Sequence, residues 1–248
     1  MKKAGGVLEG LILLAIGTYA FLLVFFGNYW RFLNPKFKWL TAVTALVLIV
    51  VGAASVLHPN KEPKLSRIII FLLLLRLFWV APAGISPAHR VKAQSLEEEP
   101  SRATVEGVEY IKINLAELYS LCREGVEAKL AMHYAVRGMV KRDRQLDRLG
   151  QFALVRSTVF CCLADAVGIG FRVKYDHVDK LSDGEWVEVF GTLAPLVSKL
   201  PDPAIGIAGM NITVLNDSCM LLPHKVSATR KPQIPFILDI KQAEPYAY

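Results

Sequence analysis

"QFALVRSTVFCCLADAVGIGFRVKY", residues 151–175, holds two strand-like runs on either side of a tight corner. The first run, 151–162, is rich in β-branched and aromatic residues and ends on the adjacent pair Cys161–Cys162. The second, 169–175, begins after Ala164-Asp165-Ala166. Successive side chains of a strand point to opposite faces. Two adjacent cysteines therefore chelate one ion only if the strand ends between them, which the Ala-Asp-Ala corner allows. The corner is then either a metal or redox site, or simply the tight end of a strand.

The pattern continues outward from this corner. Strand-like runs fall at 128–140, 185–196, 211–217 and 234–244, and 185–196 alternates Trp186, Val187, Val189 and Phe190 with acids. Before them, 113–125 places Leu115, Leu118, Tyr119 and Cys122 at helical spacing and closes on Gly125. Five or six strands with Gly-containing connections predict a small closed barrel of the OB type, preceded by one helix. Gly138 and Gly191 sit inside strand runs, where a barrel must bend sharply.

Upstream the composition changes. The chain has 248 residues, 53% of them hydrophobic, and a net charge of +7. Residues 1–85 carry nine Lys/Arg against Glu9 and Glu62, whereas 86–248 carry twenty of each sign. The excess charge sits in short segments between apolar runs, as in membrane proteins. Residues 7–26 and 39–57 each match the length needed to cross the hydrocarbon core. Residues 68–86 form a third candidate, interrupted by Arg76. Its charge costs roughly 2.5–3.5 kcal/mol on insertion scales, which the Leu/Ile run before it offsets. Arg76 then either meets an acid of a partner or snorkels to the interface. Lys2, Lys3, Lys61, Lys64 and Arg67 outnumber Arg31, Lys36 and Lys38. An N-terminus in the cytoplasm follows, so three spans leave the C-terminal domain outside it. The expected organisation is a transmembrane helical region at 1–87, a charged linker at 88–107 and an extracytoplasmic β domain at 108–248, in a bacterial-type cell membrane.

Three motifs resemble a known family. Cys161, Cys162, Ala164, Asp165 and Ala166 form the first; Trp186, Val187, Val189 and Gly191 the second; Pro245, Tyr246 and Tyr248 the third. Together they resemble the YcgQ-like family of bacterial permease subunits, membrane-anchored proteins with a C-terminal β domain carrying the Cys-Cys-x-Ala-Asp-Ala motif. The resemblance implies a YcgR-like permease as partner. Many relatives carry a His-rich linker. This chain departs from them, with only His58 before the third candidate span and His89 after it.

Cys161, Cys162 and Asp165 are the candidate ligands of a transition-metal ion such as zinc, with Cys219, His224 and His177 as further donors that sequence alone does not place. The redox alternative pairs Cys161 or Cys162 with Cys122 or Cys219. The plain alternative makes one cysteine core packing and Asp165 a cap. The cluster Lys141, Arg142, Arg144 and Arg148 is interleaved with Asp143 and Asp147, so it reads as a solvated loop rather than a nucleic-acid face. Hydrolase, nucleotide-binding and zinc-protease motifs do not occur. The expectation is therefore a non-enzymatic accessory subunit of a permease, its β domain capping or regulating the transporter and handling a metal ion. The alternative is a structural or assembly subunit of a larger membrane complex, with the β domain as an interaction module.

Overall fold

The computed structural model describes residues 2–27, 29–58, 101–124, 127–196, 205–206 and 212–248. The chain divides into two compact units, Met1–Lys92 and Ala93–Tyr248.

The first unit contains α1 (Lys2–Phe26) and α2 (Lys38–Leu57). Between them the chain makes two short 3₁₀ turns, Tyr29–Arg31 and Pro35–Phe37. Asn34 caps the second turn by accepting the Lys36 N–H at 3.1 Å. The helices pack along small residues. A Cβ added at Gly10 would lie 2.9 Å from the Gly52 carbonyl oxygen, and one added at Gly17 would lie 3.0 Å from that of Ala45. Position 10 meets 52 and position 17 meets 45, so the pair is antiparallel with contacts repeating every seven residues. Glycine lets the two backbones approach where larger side chains would hold them apart. The outer faces carry Leu11, Leu22, Leu46 and Val50, all exposed. Both helices are long and apolar enough to cross a bilayer by length and composition, a property they share with signal sequences near an N-terminus. Two such helices are described where three were expected. The third candidate, 68–86 with Arg76, lies outside the described residues.

The second unit is built on a five-stranded closed barrel. Its strands are β3 (Tyr134–Lys141), β4 (Gln151–Thr158), β5 (Val167–Lys174), β6 (Trp186–Pro195) and β7 (Thr213–Ala228). The ring runs β3-β6-β7-β5-β4 and returns to β3. All its pairings are antiparallel except β5 with β7. This is the Greek-key order expected of an OB-type barrel. β7 closes the ring because it is long. Its first half pairs with β5 and its second half with β6. Register shifts at Gly170/Arg172 and at Phe190/Gly191 supply the bends. At Gly191 a Cβ would fall inside the contact distance of the Leu222 carbonyl oxygen.

The sheet continues on both sides of the ring. β1 (Arg102–Val105) and β2 (Val108–Lys112) form a hairpin whose turn, Glu106-Gly107, has φ of 53° and 82°. Two consecutive left-handed residues match the twist of the strands they join. β2 adds in parallel to β3, and β8 (Phe236–Ile237) adds in parallel to β4. The expected linker at 88–107 thus contains a strand in its last residues. The expected strand at 151–162 stops at Thr158, and the one at 128–140 begins only at Tyr134, preceded by α4 (Glu127–Leu130). The expected strand at 211–217 continues to Ala228, while only two residues of 234–244 are strand.

α3 (Leu115–Glu124) is the expected helix. Asn114 starts it by accepting the N–H groups of Ala116 and Glu117, each at 3.0 Å. Leu115, Leu118 and Leu121 then join Phe152, Leu154, Phe171, Val189 and Leu221 in one core. Burying each such side chain contributes about 1.5–3 kcal/mol. The Cys122–Cys219 disulfide ties α3 to β7 across a sequence separation of 97 residues.

Candidate metal site and the C-terminal strap

The Cys161–Cys162 corner forms where β4 runs out. Val159 still bonds to the strand system through the Ile237 carbonyl at 3.0 Å. From Phe160 onward the backbone N–H groups turn inward to one acceptor, the Asp165 carboxylate. It takes the N–H of Phe160 at 3.0 Å, of Cys161 at 2.7 Å and of Cys162 at 3.3 Å. Asp165 closes the short 3₁₀ turn Leu163–Asp165, and its own N–H bonds the Cys162 carbonyl at 3.1 Å.

This clamp suspends the alternation of a strand. The two sulfurs, which a strand would send to opposite faces, lie 3.5 Å apart. The Cys161 and Cys162 sulfurs and an Asp165 oxygen all fall within 4.8 Å of one another. The three residues are half-buried, and the neighbouring Phe160 is 73% exposed. The hydrogen bond to the Asp165 carboxylate, followed by that to Cys162, pushes the Cys161 thiol up to about 12. Desolvation works upward on the Asp165 carboxyl. The Cys161 thiol and the three backbone N–H groups outweigh it and hold that carboxyl below its ordinary value. The corner is therefore a thiol pair on a fixed carboxylate. Two thiols and a carboxylate are donors that zinc accepts.

The sequence-predicted residues divide as follows. Cys161, Cys162 and Asp165 are brought together, and they form the one group of three or more metal-ligating side chains among the described residues. Cys219 does not join them: it is buried and bonded to Cys122, so the pairings of Cys161 or Cys162 with Cys122 or Cys219 do not form. His224 lies with its Nδ1 3.2 Å from the Tyr110 hydroxyl, and His177 stands edge-on to Tyr175. Arg76 lies outside the described residues. The basic loop is tied down as α5 (Arg144–Arg148), capped by Asp143, with Arg142 on Asp147 at 2.7 Å and Lys141 on Asp183 at 2.8 Å. Trp186 is half-buried on β6, its ring 6.0 Å from the Arg156 guanidinium.

Two constellations were missed by sequence reading. The His133 and His224 rings lie 5.2 Å apart beside Tyr110, joined from β7 and the start of β3. Their separation in sequence leaves no local pattern. The second is a strap made by the last residues. Buried Glu117 accepts the N–H groups of Lys241 at 2.7 Å and Ala247 at 3.0 Å. Arg102 on β1 holds Glu244 at 2.9 Å. The Tyr248 hydroxyl donates to Glu188, and its ring lies under the Arg137 guanidinium at 4.5 Å and beside the Lys112 ammonium at 5.1 Å. The strap accounts for the Pro-Tyr-x-Tyr ending as a packing element. One signal for it was present: Glu117 is a carboxylate lodged among the apolar positions 115, 118 and 121 of α3.

Comparisons with known proteins are few. No curated protein matches the chain. A solved structure assigned as an aspartyl-tRNA synthetase from Leishmania major Friedlin is similar over 63% of this chain, at 13% identity and a TM-score of 0.26. The match spans 25% of that structure's length, and so weak a likeness carries no argument. Residues 92–207, from the linker through β6 into the β6–β7 connection, match the family model of the DUF1980 C-terminal domain, consistent with the YcgQ-like resemblance of the motifs.

Proposed function

We propose that this chain is a membrane-anchored accessory subunit of a permease, with α1 and α2 as anchor and the barrel unit capping or regulating the transporter and handling a metal ion. The observation that carries the proposal is the convergence of Cys161, Cys162 and Asp165 on a half-exposed corner of a domain attached to apolar helices. The Cys122–Cys219 disulfide supports an extracytoplasmic barrel, since such bonds persist in oxidising compartments. The resemblance carried by the three motifs is what supports the permease partner. Arg76 is the proposed contact with it inside the membrane. No catalytic step is assigned.

The test is uptake of a divalent transition metal by cells carrying a YcgR-like permease with and without this chain. A fall in uptake on deletion, reproduced by the Cys161→Ser/Cys162→Ser pair, is the expected result. Unchanged uptake, together with no association of the two proteins in detergent, overturns it. A second reading, a structural or assembly subunit, draws on the Asp165 clamp, which would make the corner a rigid loop for protein contact. In that case deletion lowers the amount of assembled complex, and the cysteine pair is dispensable.

A further inference from the structure

We infer that the Cys161–Cys162–Asp165 corner is an open, three-donor exchange site for a zinc-class divalent ion, its fourth coordination position left for a ligand from outside the chain. The inference rests on the reading that the barrel handles an ion, and names the ion class and the mode of holding it.

The donor set selects the ion. Two sulfurs and one oxygen suit borderline ions such as Zn²⁺ and Co²⁺. Mg²⁺ and Ca²⁺ want oxygen alone, and Cu⁺ prefers sulfur and thioether. The spacing makes the same choice. With Zn–S near 2.3 Å, two sulfurs at a tetrahedral ion stand about 3.8 Å apart. The observed 3.5 Å needs a few tenths of an ångström of opening. Linear two-coordinate binding of the same sulfurs would need well over 4 Å.

The number of donors sets the mode. Structural zinc sites are closed by four protein ligands, whereas working sites keep a position open. Among the described residues no fourth donor joins these three: Cys219 is held in the disulfide, His224 on Tyr110 and His177 against Tyr175. The site opens to solvent beside exposed Phe160. The carboxylate is fixed beforehand by three backbone N–H groups, so an ion can enter without the loop having to order itself. Binding releases the two thiol protons to solvent and leaves two thiolates and one carboxylate around a divalent ion, a net charge of −1 with water in the open position.

The experiment uses the full chain in detergent micelles and Co²⁺ as the probe. The expected result is one Co²⁺ per chain with a thiolate-to-cobalt absorption band. The band weakens by about half in Cys161→Ser and in Cys162→Ser and is lost when Zn²⁺ is added. Imidazole should then shift the visible cobalt spectrum without releasing the ion, as an open position requires. Alkylation of the folded wild-type chain removes the band as well, so the result does not depend on the variants folding. The disulfide cysteines do not react. Asp165→Asn removes a direct donor and should weaken Co²⁺ binding by at least about 10–100-fold, the loss that follows when a group that only supports a ligand is removed. A band that survives alkylation, or no band at all, overturns the site. A spectrum indifferent to imidazole overturns the open position. Cobalt binding by a chain whose deletion leaves uptake unchanged and which does not associate with the permease leaves this inference standing and removes the permease reading. Uptake that depends on a chain showing no thiolate-to-cobalt band does the reverse.

Discussion

Glu117 is 1% exposed and takes three backbone N–H groups, one of them at 3.3 Å from Asn114, the residue that caps its own helix. Desolvation dominates its titration and raises the carboxyl above its ordinary value, against the pull of those three donors. A group raised in the folded state adds stability that is complete below its unfolded pKa and is lost as pH rises through the folded one. The barrel should therefore lose stability as pH climbs through the range just above ordinary carboxylates. Glu117→Gln should flatten that part of the curve, as read from urea midpoints across pH. Asp165 has the opposite sign. Its lowered carboxyl adds stability above the ordinary carboxylate pKa, which is lost as pH falls through the folded value. The two windows lie on opposite sides of the ordinary value, so one titration separates the strap from the corner. Asp165→Ala removes the acceptor of three N–H groups and should cost about 1–3 kcal/mol, with amide exchange at residues 160–162 rising first. The sequence made Cys161, Cys162 and Asp165 visible because they lie within five positions. It could not show how they meet, because that depends on a carboxylate reaching back over four residues.

At the scale of elements, Gly191 is where β6 shifts register against β7. Gly191→Ala places a methyl group against the Leu222 backbone, which cannot move as a side chain end could. The expected cost is about 1–3 kcal/mol, seen as a lower thermal midpoint. The same change at Gly184, whose Cβ meets nothing within 4 Å, tests φ alone, since its φ is 83°. Legibility differed between strands for a physical reason. β6 is a mostly apolar run with one acid, Glu188, bounded by the Ser182-Asp183-Gly184 turn and by Pro195, so its ends were read to within one residue. β7 breaks that pattern after Asn216. Exposed Asp217 and Ser218, with Cys219 N–H bonding back to Asn216 at 2.7 Å, look like a turn, yet the strand runs on. β1 is four residues long; Ala103 and Val105 alternate inward with exposed Arg102 and Thr104, but the run is too short to stand out. The helical pair was legible from length and apolarity, but its seam was not. Gly10, Gly17, Ala45 and Gly52 acquire meaning only once the pairing of positions is known.

For the whole molecule, the disulfide is the largest single constraint on the unfolded chain. It closes a loop of about 100 residues, for which chain entropy assigns about 4–5 kcal/mol. Cys122→Ala/Cys219→Ala should lower barrel stability by about 2–5 kcal/mol in chemical denaturation, with β-sheet circular dichroism retained below the transition. Barrel topology was within reach of the sequence, since runs of alternating residues with internal glycines point to closure. The strap was not, because Glu117 and its partners Lys241 and Ala247 are 124 and 130 residues apart. The β1–β2 hairpin was not, because its first strand is four residues long and lies at the end of a charged stretch.

The order of the four cysteines has a consequence for biosynthesis. During synthesis Cys122 emerges first, then Cys161 and Cys162, and Cys219 last. Until β7 has been made, Cys122 has only the corner cysteines to pair with. Any oxidant that reaches the nascent chain early therefore produces a wrong link, and Cys219 must later displace it by thiol exchange. The thiols proposed to hold an ion in the finished protein are thus decoys in the unfinished one. A metal bound early at the corner would act as a protecting group, leaving Cys122 free until its partner arrives.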